Sequence, residues 1–165
     1  MRLILRSLVL GCVFATATSA AAQTKVTAKC SQGKPDPNHL IVIDDRPQHA
    51  MYLGKVTCTF SAGEFGGDAL KSEVDTVMGE MTGTTSHDRG YGVGSTASGD
   101  KYYVRFSGTT TYKGEVPTAA TCNWTFTGGT GKLEGLTGKG TCTGTYDASG
   151  GATFDIVGEY SIKAK

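Results

Sequence analysis

The densest charged cluster of the chain is Asp44-Asp-Arg-Pro-Gln-His49, and it contains the residue types of acid–base chemistry. A carboxylate from Asp44 or Asp45 beside His49 can take and return a proton at the mouth of a barrel. The same six residues also suit a solvated turn, because Asp and Pro bend a chain that has just left the apolar run Leu40–Ile43. Loops carry charge whether or not they act, so the turn is the preferred reading and the acid–base role the competing one.

His39, His49 and His87 are the chain's three histidines. No two stand at the i, i+2 spacing by which one strand turns two imidazoles toward the same ion, and no metal site is expected. The glycine-rich stretch Gly128-Gly-Thr-Gly-Lys-Leu-Glu-Gly-Leu-Thr-Gly-Lys-Gly-Thr-Cys142 invites comparison with phosphate loops. Gly138-Lys139 is followed by Gly140 and not by Ser or Thr, and Leu133 stands where the first glycine belongs. The dinucleotide pattern fails as well, since no helix follows to aim its N-terminus at a phosphate. No cofactor is expected.

Aromatic residues suggest a pocket more than a reaction. Trp124, Tyr102, Tyr103, Phe106, Phe154 and Tyr160 can line an apolar cavity, or they can fill a small barrel as packing. Arg105 sits among aromatic neighbours and is the candidate polar group that orients an amphipathic ligand. A surface cation is the preferred reading of the same residue, since arginine is seldom fully buried.

The elements that must position these groups are strands. Beyond Gln23 small polar and apolar residues alternate, with little helical periodicity, and threonine suits a pleated surface. Candidate strands run over 24–30, 40–44, 52–60, 73–85, 91–97, 101–112, 120–127, 139–146 and 153–162. Turn signals separate them, among them Lys34-Pro-Asp-Pro-Asn38, Ser98-Gly-Asp100 and Ser149-Gly-Gly151. The segment 63–72 reads as a loop because of Gly63, Gly66 and Gly67. Eight or nine short strands without helices mean a sandwich or a barrel. Gly79, Gly83, Gly92 and Gly94 fall within strand candidates, where glycine lets a sheet curl closed, and this favours the barrel. Period two then places Cys122, Trp124 and Phe126 on one face of their strand, and it separates Tyr102, Val104 and Phe106 from Tyr103 and Arg105.

The first 22 residues read as a secretory signal. Arg2 and Arg6 make a basic n-region, Leu8–Thr18 an apolar core too short for a membrane span, and Ser19-Ala-Ala-Ala22 a cleavage site. Residues 23–165 then form one domain, with no stable membrane anchor, in a secreted or periplasmic protein. Without the two signal arginines, 14 basic residues face 15 acidic ones, a balance that does not point to nucleic acid as a partner. The mature chain keeps Cys30, Cys58, Cys122 and Cys142, an even set that reads as two disulfides in an exported protein. Cys122 and Cys142 flank the glycine-rich hairpin, so Cys122–Cys142 with Cys30–Cys58 is the favoured pairing of three.

The run from Gly128 to Thr141, followed by Gly158-Glu-Tyr160, resembles the glycine-rich hairpin and closing strand of allene oxide cyclase barrel-like proteins. These belong to a calycin-like group that includes the dirigent proteins. Gly99-Asp-Lys-Tyr-Tyr-Val-Arg-Phe-Ser-Gly108 is similar to that group too. The resemblance covers 98–162 and implies an eight-stranded antiparallel barrel with an apolar cavity, assembled as a homo-oligomer, commonly a trimer. Plant members bind or steer hydrophobic oxylipins or phenolic radicals. Their catalytic acids lie outside the matching stretches, so the resemblance assigns none here.

The expectation is an all-β, calycin-like barrel that is exported and binds a small apolar or amphipathic molecule, with Arg105, Trp124, Tyr102, Tyr103 and Tyr160 around the ligand. A cyclase or isomerase acting on a lipid-like or polyketide-like substrate is the enzymatic alternative, because holding a reactive conformer can itself accelerate a reaction. A structural module whose barrel is plugged by side chains is the third.

Overall fold

A computed structural model describes residues 23–36 and 38–163; residues 1–22, read from sequence as a secretory signal, lie outside them. Among the described residues ten strands form: β1 (Thr24–Gln32), β2 (Asn38–Val42), β3 (His49–Ala62), β4 (Glu64–Phe65), β5 (Asp68–Thr82), β6 (Thr85–Thr96), β7 (Lys101–Lys113), β8 (Val116–Gly129), β9 (Leu136–Tyr146) and β10 (Ala152–Ile162). One 3-10 turn, Gly131–Leu133, joins β8 to β9.

Eight of the strands close on themselves. Neighbours run β3-β1-β10-β9-β8-β7-β6-β5, and β5 pairs back to β3, every ladder antiparallel. Closure leaves no open edge among these eight. The two remaining strands lie outside the ring. β2 pairs with Ala50–Gly54 of β3, while β1 takes Cys58–Ala62 further along that strand. Register shifts at Lys29/Cys30, Leu70/Ser72, Tyr103/Val104 and Thr111/Tyr112 supply the local bends a closed sheet needs.

Alternation gives the wall an inside and an outside. In β1, Val26, Ala28 and Cys30 are buried between the exposed Lys25, Thr27 and Lys29. In β8, Trp124 and Phe126 are buried and Cys122 shares their face. Cys122 and Cys142 are direct partners across the β8–β9 ladder and form one disulfide, with Cα atoms 4.9 Å apart. Cys30 and Cys58 bridge β1 to β3 with Cα atoms 5.6 Å apart. The favoured pairing is the one that forms.

One end of the barrel is closed by aromatic packing. The segment 63–72, expected to be a loop, folds instead as β4 and the start of β5 around Gly66-Gly67. That hairpin turns Phe65 inward, 4% exposed, against Tyr102, Phe126 and Tyr160. Its ring meets theirs edge-on at centroid distances of 5.3, 5.4 and 5.1 Å, each contact contributing about 0.5–1.5 kcal/mol beyond area burial. Tyr160 Oη also accepts the Gly66 N–H at 3.0 Å, tying the hairpin to β10. Leu133 and Leu136 finish the plug from the β8–β9 connection. The aromatic cluster around Phe65 therefore fills one end of the barrel, while Phe106, Tyr146 and Phe154 lie on the lining of the space beyond.

Candidate ligand cavity and its buried acids

Above that floor the barrel holds a cavity of about 760 Å³. Its wall is largely apolar, with Val56, Val77, Val104, Phe106 and Trp124 on the lining. All four disulfide cysteines line it as well. At the far end the lining passes to connecting segments: Lys34 and Pro35 after β1, Glu115 between β7 and β8, and Ala148–Gly150 between β9 and β10. The mouth is formed by turns and the floor by rings.

Two polar clusters interrupt the apolar wall. The first is Glu73 and Asp75 on β5, with Tyr102 on β7. Asp75 is 5% exposed and Tyr102 2%. Gln32 Nε2 donates to Asp75 Oδ2 over a long 3.4 Å. Asp75 Oδ1 and Tyr102 Oη are buried with no well-formed hydrogen bond. Burial, and then the neighbouring Glu73 carboxylate, pushes the Asp75 carboxyl up to about 9. Burial raises Glu73 too. Both shifts follow from removing carboxylates from water without a cation beside them. The Tyr102 phenol is likewise raised, by burial first and the two acids second.

The second cluster gathers on Asp88 of β6. Tyr52 Oη donates to Asp88 Oδ1, and Thr110 Oγ1 donates to Oδ2 at 2.6 Å. Ser86 Oγ, fully buried, lies 3.4 Å from Tyr52 Oη. Burial raises the Tyr52 phenol, with the Asp88 charge adding to it.

Glycines on the inner face make room for these groups. Gly92 pairs with Asp75 across the β5–β6 ladder, and a methyl group there would fall 2.5 Å from Asp75 Oδ1 and 2.7 Å from Glu73 Oε1. Gly79 does the same for the second cluster, where a methyl would collide with the Tyr52 ring and Asp88. Inward-facing glycines in a barrel wall are thus the footprint of bulky groups reaching across from neighbouring strands.

The residues expected from sequence divide between the two sides of the wall. Trp124 and Tyr102 line the cavity. Trp124 Nε1 donates to the Thr141 carbonyl at 3.1 Å, which satisfies the indole and fixes its ring. Tyr160 lies in the floor packing and not on the lining. Arg105 and Tyr103 require correction: they fall on the outer face of β7, where Arg105 is exposed opposite Tyr91 and Thr125. Their odd position in the alternation sends them outward while Tyr102, Val104 and Phe106 go in.

Asp44, Asp45 and His49 are also absent from the lining. Asp44 and Asp45 are exposed in the turn before β3. His49, 7% exposed, places Nδ1 2.5 Å from Asp45 Oδ1 and Nε2 2.9 Å from Glu80 Oε1. Hydrogen bonds to Asp45 and then Glu80 raise the imidazole above its ordinary value, and the His49 bond lowers Asp45. The arrangement reads as an ion-pair clasp between the start of β3 and the end of β5.

Sequence reasoning missed Glu73, Asp75, Asp88 and Tyr52. In β5 the alternation Glu73-Val-Asp-Thr-Val-Met78 invites Val74 and Met78 inward, yet they are 43% and 38% exposed while Asp75 is buried. The readable signal lay one strand on. Gly90, Gly92 and Gly94 occupy three successive inward positions of β6 and mark its inner face.

Strand pairing and cavity together define a closed antiparallel β-barrel with an acid-bearing interior. No family model and no curated protein matches the chain. Among solved structures it is similar to the pterocarpan synthase dirigent protein GePTS1, at 9% identity and a TM-score of 0.46, with 93% of this chain and 100% of that one covered.

Proposed function

We propose that this protein is exported and binds a small amphipathic molecule inside the barrel. The carrying observation is the combination of an apolar cavity of about 760 Å³ with a few convergent polar groups, Asp75, Glu73 and Tyr102, at one place on its wall. Binding sites for small molecules have this composition: apolar area supplies affinity and a few polar atoms fix orientation. Export rests on the signal-like first 22 residues and on two disulfides of a kind favoured outside the reducing cytosol. Conversion of the ligand, as by a cyclase or isomerase, is a second reading supported by one observation. Asp75, with its carboxyl pushed up to about 9, keeps a proton at neutral pH beside the Tyr102 phenol, so the pair can donate to a developing negative charge.

Nile red, a neutral apolar dye, tests the binding reading directly. Trp124 is the chain's one tryptophan and lines the cavity, so energy transfer from it reports occupancy. Saturable transfer at one dye per barrel is expected. A folded protein with no saturable transfer would overturn the proposal.

A homo-oligomer belongs to the same reading. Met51, Leu53, Val74, Tyr91 and Val93 expose apolar surface on the outer face of β3, β5 and β6, more than a solitary barrel has reason to show. Light scattering on the mature protein should give a multiple of the chain mass, and a monomer at micromolar concentration removes this part.

A further inference from the structure

The barrel interior is unbalanced in charge. Glu73, Asp75 and Asp88 all line the cavity, and among the described residues Lys34 is the one cationic side chain on the lining. Lys34 belongs to the loop after β1, and its stem lies against Gly150 in the β9–β10 turn, at the mouth. A carboxylate moved from water into such a space either finds a cation or takes up a proton. Asp75 takes the second course, since burial and Glu73 hold its carboxyl protonated well past neutrality. A proton is the smallest cation that relieves this pair. An ammonium group relieves it as well and brings three N–H donors.

Acceptors for those donors are present. Asp75 Oδ1 and Tyr102 Oη are buried, on the cavity wall, and without a well-formed hydrogen bond. Glu73 Oε1 and Asp75 Oδ1 both crowd the inner face of Gly92, which places the two carboxyl groups side by side. Val56 pairs with Asp75 across the β3–β5 ladder, Val104 shares the space over Gly92 with the two carboxyls, and Val77 and Phe106 extend the apolar lining. Asp88 differs, because both of its oxygens already accept from Tyr52 and Thr110.

Resting on the ligand-binding reading above, we propose that the cavity selects amphiphiles with a primary amine head, whose ammonium group lies among Asp75, Glu73 and Tyr102 while the hydrocarbon tail runs along the apolar wall. Fatty carboxylates are disfavoured by the same geometry, since their charged head would lose its water beside Glu73 and Asp75 with no cation there to offset it. Neutral alcohols fall between, able to hydrogen-bond but not to neutralise.

Three ligands that share a tail and differ only in the head test this: decylamine, decanol and decanoate, each titrated at pH 7 below its aggregation limit while Trp124 emission is followed. Decylamine should bind at least about tenfold tighter than decanol, as hydrogen bonds to charged groups require, with decanoate weakest. Asp75→Asn, which keeps the side-chain volume, and Asp75→Asn with Glu73→Gln should bring the amine-to-alcohol ratio toward one. Arg105→Ala, on the outer face, should leave it unchanged. The wild-type ranking requires no variant to fold. Decanol binding as tightly as decylamine, decanoate matching either, or an amine preference that survives the double substitution each overturns the head-group assignment while leaving a binding cavity. If none of the three ligands binds, the cavity-binding reading falls and this inference falls with it.

Discussion

Asp75 and Gly92 face each other across the β5–β6 ladder, and the carboxyl group of the one occupies the space a side chain on the other would need. The acid pair therefore depends on a residue that contributes no side chain at all. Gly92→Ala would press a methyl group against Asp75, Glu73 and Val104. Such overpacking should destabilise the barrel by about 1–3 kcal/mol. Urea denaturation monitored by circular dichroism measures the loss; an unchanged midpoint means that the carboxyls swing aside freely and the site is not preorganised.

Asp75 should make stability fall with rising pH. Its carboxyl ionises near 3.8 in the unfolded chain and near 9 in the folded one. Between those values the folded state holds a proton that the unfolded state has released, so raising the pH drives unfolding. Asp75→Asn removes this slope. The variant should melt closer to wild type at pH 4.5 and above it at pH 8.5, and identical melting profiles across that range would show that Asp75 is not held protonated.

His49 works with the opposite charge but in the same pH direction. Its folded-state value lies above 6.5, so the stability it contributes is complete below 6.5 and is lost as pH rises through the folded value. His49→Gln should destabilise the protein at pH 5.5 and make little difference at pH 9. Equal effects at both pH values would mean that Asp45 and Glu80 hold a neutral imidazole. The two pH slopes separate because each variant abolishes only its own.

Each disulfide closes a loop that the unfolded chain would otherwise explore. For sequence separations of 20 and 28 the lost loop entropy corresponds to about 3–4 kcal/mol apiece. Replacing Cys122 and Cys142 together, or Cys30 and Cys58 together, by alanine should lower the unfolding free energy by that order. Denaturant titration of both double variants checks it, and losses well under about 1 kcal/mol would mean that residual structure already restricts the unfolded chain.

Much of the barrel was legible along the chain because strand alternation and turn chemistry are local. Nine strand candidates each correspond to an observed strand, and the glycine-rich run from Gly128 carries the β8–β9 connection into β9. Even the disulfides followed, since Cys122 and Cys142 flank a single hairpin. The missed strand, Glu64–Phe65, is two residues long, and its value comes from where Phe65 inserts, which no local pattern records.

The site was far less legible. Period two separates the faces of a strand but does not say which face points in, and β5 and β6 reverse the usual expectation. Val74, Tyr91 and Val93 go out while Asp75 and Asp88 go in. The conspicuous charges, Asp44 to His49, were placed by the chain in a turn and became a clasp on the barrel's outside. By itself the sequence determined strands, turns and the pairing of cysteines, which depend on neighbours a few residues apart. Tertiary structure alone decided the sidedness of each strand, because closing eight strands into a ring fixes every face at once and gives buried space to whichever groups the inward glycines admit.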